Sequence, residues 1–445
     1  MNVSETTECI PFNLEEYKSD AMTWETLRLE NCRLSSEDCR LADHLRKERI
    51  IAAIDELRDG LRIKANSFVG HVAFSTFDLV IRPKFDHLAT SEGKANPLAT
   101  LLAYAFGFDD LKPVGEQISS EVYFAEILIH WLIGEIHSIQ RRGLFQQYRR
   151  ERRDLSVIRG KIDLKTWLRR GGIPSERMPC VFYRRSLDNV LNQTLCAGLR
   201  RSATIAKSPK LKGQCRYIAD NFALDGVSEK TLDYRMLADA RRGLNRLNAH
   251  YENAVQIVRM IYEGSGGFVL GDTRQEQLRI PGFFFDMNVL FEKVLARFFR
   301  ENLTTYMVEE QRPFQVYSCQ ESDKDRDSIR PDYVFYDKLS GEIVLFADAK
   351  YRDVTNKDVV NTQLYQLSVY ASVCPLDQRA VLLYPSFSEE QKSKTLVLNR
   401  INNQKKLAIV TLQPVDMYRL IDLIQCESKK SQREDFALEI AGKTT

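Results

Sequence analysis

Asp332, Asp348 and Lys350 are the residues whose types and spacing point most directly to chemistry. They lie in two neighbouring stretches, SIRPDYVFYD from Ser328 and GEIVLFADAKYR from Gly341. Successive side chains of an extended strand alternate between faces, so Ile343, Leu345, Ala347 and Ala349 share one face and Val344, Phe346, Asp348 and Lys350 the other. Asp348 and Lys350 then project together, about 7 Å apart along the strand. The turn KLSG folds DYVFYD back as a hairpin partner and brings Asp332 beside Asp348. Two adjacent carboxylates repel unless a cation lies between them. Hard oxygen ligands with room for water suit Mg2+, with Mn2+ as a substitute. Such an ion polarises a phosphodiester, and a neighbouring lysine offsets the charge that grows on phosphorus.

Three further residues extend the set. Glu292, in the helical stretch FDMNVLFEKVLARFF, is placed to supply a third carboxylate. Gln366 and Tyr370 are four apart in NTQLYQLSVYASV and so share one face of a helix. The acid-x-lysine triplet alone carries no information, because Asp110 to Lys112, Asp163 to Lys165 and Glu390 to Lys392 match it too. None of these ends an apolar strand with a Pro-Asp partner. Taken singly, the residues also read as a surface ion pair, a solvated helix position and ordinary packing.

The elements that must position them follow from periodicity. FVGHVAFSTFDLVIRPKFD, from Phe68 to Asp86, reads as two strands joined by a polar turn. Before it, Glu37 to Leu61 has helical spacing. Leu101 to about Tyr262 reads as mainly helical, with helices over Glu121–Ile139, Leu187–Ala206 and Leu244–Tyr262. The glycine-rich EGSGGFVLGDT, Glu263 to Thr273, punctuates the chain. Beyond it the order is helix (Phe285–Asn302), strand, hairpin, helix (Lys357–Val373) and strands over Arg379–Tyr384 and Lys406–Leu412. That alternation predicts an α/β sheet domain. The expected division is a strand-rich N-terminal region (1–105), a mainly helical middle region (106–265), the α/β domain (266–428) and a flexible tail (429–445).

Composition excludes more than it selects. Sixty-four basic against 61 acidic residues leave a formal charge of +3, too even to name a partner, and 28% charged with 44% hydrophobic residues indicate a globular chain. The start shows no basic and apolar leader, and Glu126, His130, Glu135 and His137 interrupt the apolar stretch Val122–Ile139, so no membrane association is expected. Nine scattered cysteines without a C-x-x-C suggest reduced thiols and a cytoplasmic setting. Gly442, Lys443 and Thr444 end like a phosphate-binding loop, but Ala437 stands where its first glycine belongs. No H-E-x-x-H or G-x-S-x-G is present.

The set Glu292, Asp332, Asp348, Lys350, Gln366 and Tyr370 resembles that of the PD-(D/E)XK nuclease superfamily, whose fold is restriction endonuclease-like. The Gln366–Tyr370 helix is similar to that of its RecB-like branch. More of the chain resembles the McrC family, the nuclease subunits of McrBC-type modification-dependent restriction systems. The segments SFVGHVAFSTFDLVIRPKF, VIRGKIDL, RLNAHYENAVQIV, FFFDMNVLFEKVL, RPDYVF, LFADAKY and QLYQLSVYA carry this likeness, from about residue 60 to 385. The resemblance implies an endodeoxyribonuclease of antiviral defence. In it Asp332 and Asp348 ligate Mg2+, Glu292 is an accessory ligand and Lys350 is catalytic, while Gln366 and Tyr370 position water or the DNA strand. It implies double-stranded DNA as substrate and an AAA+ GTPase of the McrB type as partner, its hydrolysis stimulated by this subunit. Arg82 and Lys84 are the candidate docking residues. The dense basic run around Arg149, Arg150, Arg152 and Arg153 reads as phosphate contacts, or equally as a solvated helix face paired with Glu151 and Asp154. The rival readings are a non-catalytic activator of the motor and a nuclease of another repair or defence system.

Overall fold

The computed structural model describes residues 11–15, 26–30, 32–83, 96–108, 124–173, 176–267, 282–316, 328–351, 357–376, 378–388, 391–400, 406–426 and 429–442. The chain forms two compact units, Met1–Phe124 with Ile280–Thr445, and Ala125–Arg279.

The first unit opens with β1 (Pro11–Glu15), β2 (Thr26–Glu30), α1 (Ser36–Lys47), β3 (Ile51–Leu57), β4 (Gly60–Ala65), β5 (Phe68–Ala73), β6 (Asp78–Arg82) and α2 (Pro97–Phe106). Helix α1 begins with a capping box in which Ser35 and Asp38 each accept from the other's backbone N–H. The helical spacing expected as far as Leu61 stops at Lys47. Arg49 adopts a left-handed φ of 57°, which ends the helix. Beyond it, Ile51, Ile54, Leu61 and Ile63 bury their side chains from the antiparallel strands β3 and β4 instead.

The second unit takes α3 (Phe124–Arg142) from Ala125 onward and then β7 (Gln147–Leu155), β8 (Lys161–Ile162), α4 (Leu164–Arg169) and β9 (Met178–Ser186). The basic run is therefore a strand, not a helix face. β9 supplies it with a full antiparallel partner, in the order β7-β9-β8. Helices α5 (Val190–Ile205), α6 (Pro209–Leu224), α7 (Tyr234–Gly243) and α8 (Glu252–Tyr262) complete the unit. The helix expected from Leu244 thus starts eight residues later, after a short 3-10 turn over Ala249–Tyr251. Gly198 lets α5 approach α8, since a Cβ there would press into the Val258 side chain.

The chain then returns to the first unit with β10 (Gly282–Asp286), which pairs antiparallel with β5 and extends the sheet β1-β6-β5-β10. The two glycines on this seam are required by close approach. A Cβ on Gly70 would run into the Phe283 carbonyl, and one on Gly282 into that of His71. The strand-rich N-terminal region and the C-terminal region are thus tied by a shared sheet, a link that local periodicity does not reveal.

After β10 come α9 (Met287–Asn302), β11 (Tyr306–Glu310), β12 (Phe314–Gln315), β13 (Ser328–Ile329), β14 (Tyr333–Asp337), β15 (Ile343–Ala349), α10 (Lys357–Val373), β16 (Arg379–Ser386), β17 (Lys394–Asn399), β18 (Lys406–Asp416), α11 (Met417–Gln425) and α12 (Lys430–Ile440). Six of these strands form a mixed sheet in the order β11-β14-β15-β16-β18-β17. β15, β16 and β18 run parallel at its centre, and the remaining pairs are antiparallel. One face of β14 presents Tyr333 and Phe335 to Phe299 of α9 in edge-to-face ring contacts. The other presents Val334 and Tyr336 to a core shared with Phe346 and with Leu367, Tyr370 and Ala371 of α10. The residues read as a loose tail instead include α12. Its Phe436 is buried against Phe298, and the Gly442 carbonyl accepts from Arg379 at 2.9 Å.

Candidate active site

The candidate site lies at the end of the β14–β15 hairpin away from its turn, where β14 begins and β15 finishes. Tyr333 pairs with Ala347, so one step further out Asp332 comes opposite Asp348. β15 is apolar because it is central, with every residue from Val344 to Ala349 buried. Its charged end is nearly as dry: Asp332 and Asp348 are 7% and 2% exposed. Between them stands Lys350, whose Nζ lies 2.9 Å from Asp348 Oδ2 and 3.4 Å from Asp332 Oδ2. The lysine's position is set through its backbone, whose N–H donates to the Leu383 carbonyl on β16 at 2.9 Å.

Asp332 is held from two directions. Its Oδ2 accepts the Ala349 N–H at 2.9 Å, and its Oδ1 accepts Gln311 Nε2 at 2.6 Å. Asn288 adds a second support. Its Oδ1 accepts the Tyr351 N–H at 3.0 Å, and its Nδ2 donates to Ser67 Oγ and Asp286 Oδ1. Neither Gln311 nor Asn288 belongs to the set named from sequence. Asn288 carried one usable signal, its position one helical turn before Glu292. Gln311 carried none, being an ordinary residue type 21 positions from its partner.

Glu292 sits on α9, where its carbonyl accepts the Tyr333 hydroxyl at 2.7 Å. Burial and then the Asp332 charge push its carboxyl up to about 7, with Lys350 opposing. Asp348 moves in the same direction, by burial first and by Asp332 next. Burial works against the Lys350 ammonium, but Asp348 and Asp332 outweigh it and raise its pKa. On α10, Gln366 Nε2 donates to the Tyr370 hydroxyl at 2.6 Å. Burial raises the pKa of Tyr370, and the charges of Asp348, Asp332 and Lys350 also reach it. The structure therefore brings Asp332, Asp348 and Lys350 into direct contact, with Glu292 and Tyr370 within electrostatic range.

The donor chemistry suits a hard divalent cation. Two buried aspartates flank one ammonium, with the Glu292 carboxyl within electrostatic range, and burial first and the Asp332 charge next raise Glu292 and Asp348. Among the described residues no group of three His, Cys, Asp or Glu side chains is placed to hold a metal ion. Mg2+ does not need one, because it retains several waters and binds through one or two carboxylates.

The other residues singled out lie elsewhere. Arg82 ends β6, half-buried, and Lys84 lies outside the described residues. Arg149, Arg150, Arg152 and Arg153 are on β7, where alternation puts the first and last on one face and the middle two on the other. Arg149 pairs with Asp188 at 3.4 Å, Arg152 with Asp163 at 3.9 Å and Arg153 with Glu151 at 3.1 Å. Asp163, part of one competing acid-x-lysine triplet, is the N-cap of α4 and accepts from Thr166. Among the described residues no helix is long and apolar enough to cross a membrane.

Known proteins resemble the chain in sequence family and in fold. A family model described as McrBC 5-methylcytosine restriction system component matches residues 63–385. No curated protein matches the chain. Among solved structures, a chain in the refined half-complex from the tetradecameric assembly of Thermococcus gammatolerans McrB AAA+ hexamers with bound McrC aligns with a TM-score of 0.65. It is 18% identical, and the alignment covers 97% of this chain and 99% of that one. A chain of the Thermococcus gammatolerans McrBC complex, determined by cryo-EM, aligns with a TM-score of 0.46 at 19% identity, over 66% of this chain and 88% of that one. The first likeness is one of fold. The family match spans well over half of the sequence, and the chain belongs to the McrBC 5-methylcytosine restriction system component family.

Proposed function

We propose that this chain is the Mg2+-dependent DNA endonuclease subunit of an McrBC-like restriction system, with a C-terminal domain of the PD-(D/E)XK type. The observation that carries the reading is the placement of Lys350 Nζ within 2.9 and 3.4 Å of two buried aspartates at the end of a central strand. Asp332 and Asp348 would hold the cation, with Glu292 as the accessory carboxylate. Bound there, Mg2+ would supply Lewis acidity toward a phosphodiester oxygen and toward water.

The chain's own residues do the rest. Asp332, fixed by Ala349 N–H and Gln311, keeps its carboxylate aimed at the lysine. Lys350, kept protonated by both acids, presents an ammonium to charge that develops on the phosphate. The apolar wall of Phe346 and the covering helix α10 limit water around that charge and so strengthen the interaction. Gln366 and Tyr370, linked to each other on α10, would position water or the DNA strand. The arginines of β7 would contact DNA phosphates, which adds affinity without base recognition.

The partner in this reading is an AAA+ GTPase of the McrB type, which the subunit stimulates, with Arg82 and Lys84 as docking residues. Support comes from the solved assembly in which McrB AAA+ hexamers carry bound McrC. The test combines the chain with an AAA+ NTPase of the McrB type, DNA, Mg2+ and GTP or ATP, and records cutting and NTP hydrolysis together. Wild type should cut DNA and stimulate hydrolysis, while Asp348→Ala should only stimulate. Stimulation by both proteins without cutting by either would replace this reading with that of a non-catalytic activator.

A further inference from the structure

Gln311 has a backbone that glutamine rarely adopts. Its φ is 54°, in the left-handed region that favours glycine and, less strongly, asparagine. It follows β11 directly, at the point where the chain turns over the outer end of β14. Three hydrogen bonds hold it there. Its N–H donates to the Asp332 carbonyl at 3.1 Å, its own carbonyl accepts Arg330 Nε at 2.8 Å, and its side-chain Nε2 reaches Asp332 Oδ1 at 2.6 Å. Backbone conformations of this kind persist where the surroundings over-determine them, and they cluster at functional sites.

The contact divides the work of one carboxylate. Asp332 Oδ1 is occupied by the Gln311 amide, while Oδ2 faces the Ala349 N–H and the Lys350 ammonium. With the Gln311 amide on one oxygen and the Ala349 N–H on the other, the two contacts together fix the direction of the carboxylate. An ionised carboxylate only accepts hydrogen bonds, which makes the amide nitrogen, not the amide oxygen, the partner that suits it. From this left-handed backbone the glutamine side chain reaches Asp332. A glycine would relieve the backbone and lose the contact.

We propose that Gln311 is a positioning residue that orients Asp332 for divalent-cation binding, a role resting on the reading of Asp332 and Asp348 as the cation ligands. Hydrogen-bond partners of metal ligands change metal affinity or activity by about 10- to 100-fold when removed.

The test measures Mn2+ binding to the full-length chain by electron paramagnetic resonance of the free ion, without DNA or nucleotide. Wild type, Gln311→Ala, Gln311→Gly and Asp332→Ala are compared, with circular dichroism as a check on folding. Both Gln311 variants should bind Mn2+ at least about tenfold more weakly than wild type, and Asp332→Ala should lose binding. Wild-type affinity in Gln311→Gly would overturn the inference, because the residue would then serve only the backbone turn. Wild-type affinity in both Gln311 variants, with Asp332→Ala deficient, would overturn it while leaving the site assignment intact. Wild-type affinity in Asp332→Ala would remove the cation site and the inference with it.

Discussion

Lys350 Nζ lies 2.9 Å from Asp348 Oδ2, two residues away on the same strand end, so the lysine arches back over its own backbone to meet the carboxylate. The strand spacing alone would leave the two side chains about 7 Å apart. The pair is mostly dry, with side-chain exposures of 28% and 3%. Removing the lysine leaves two buried carboxylates facing one another. Lys350→Ala should therefore reduce DNA cleavage by about a hundredfold or more while leaving NTPase stimulation in place. Parallel assays of cutting and phosphate release check both halves, and unchanged cutting would sink the assignment.

Asn288 joins Ser67, in the β4–β5 turn, to Tyr351, the residue after the candidate lysine. Asn288→Ala leaves the Tyr351 N–H without that acceptor, at a cost of about 1–3 kcal/mol if water does not replace it. A lower denaturant midpoint is expected, with a loss of cleavage larger than the loss of stability would explain. Equal cleavage at equal folded fraction would limit Asn288 to a structural role.

Gly70 has φ of 148° and faces the Phe283 carbonyl across the β5–β10 seam. Gly70→Ala must distort one strand or separate the two, for a penalty on the order of 1–3 kcal/mol. Because β10 leads straight into α9, the change should also disturb Glu292. Hydrogen exchange of the Phe283 and Phe285 amides would report it as faster exchange in the variant. Wild-type protection there would show that the seam tolerates a side chain.

Asp38 gives a pH dependence with a definite sign. Burial raises its pKa, but hydrogen bonds from Ser75 and Ser35 outweigh this and hold it below the ordinary 3.8. A depressed carboxyl contributes stability that is fully present above the unfolded pKa and lost as pH falls through the folded one. Wild type should therefore lose stability below about pH 4. Asp38→Asn should be less stable by about 1 kcal/mol at neutral pH and show a flatter acid limb. Melting temperatures between pH 3 and 6 test this, and parallel profiles would refute it.

The charged end of β15 was legible because its information is local. Two-residue alternation puts Asp348 and Lys350 on one face, and a short turn returns Asp332 to them. Residues 287–302 and 357–373 were equally readable, because a helix writes its own period into the side chains it buries. Where two signals overlapped, the reading failed. Glu37–Leu61 mixes a genuine helix with a hairpin, and only the left-handed Arg49 marks the division.

Other features exist only in three dimensions. The arginine run became a strand because β9, some thirty residues later, offers it a ladder of hydrogen bonds. The helix α12 is held because Phe436 is buried edge-on against Phe298. β10 joins β5 across more than two hundred residues, through two glycines whose missing side chains matter only once the strands meet. Gln311 reaches Asp332 from a backbone turn of uncommon conformation, 21 residues away in the chain. By itself the sequence determined which short segments are apolar, which alternate, and which charges share a face. The tertiary structure decided which distant segments those faces meet, because that depends on backbone pairing and close approach between residues far apart in the chain.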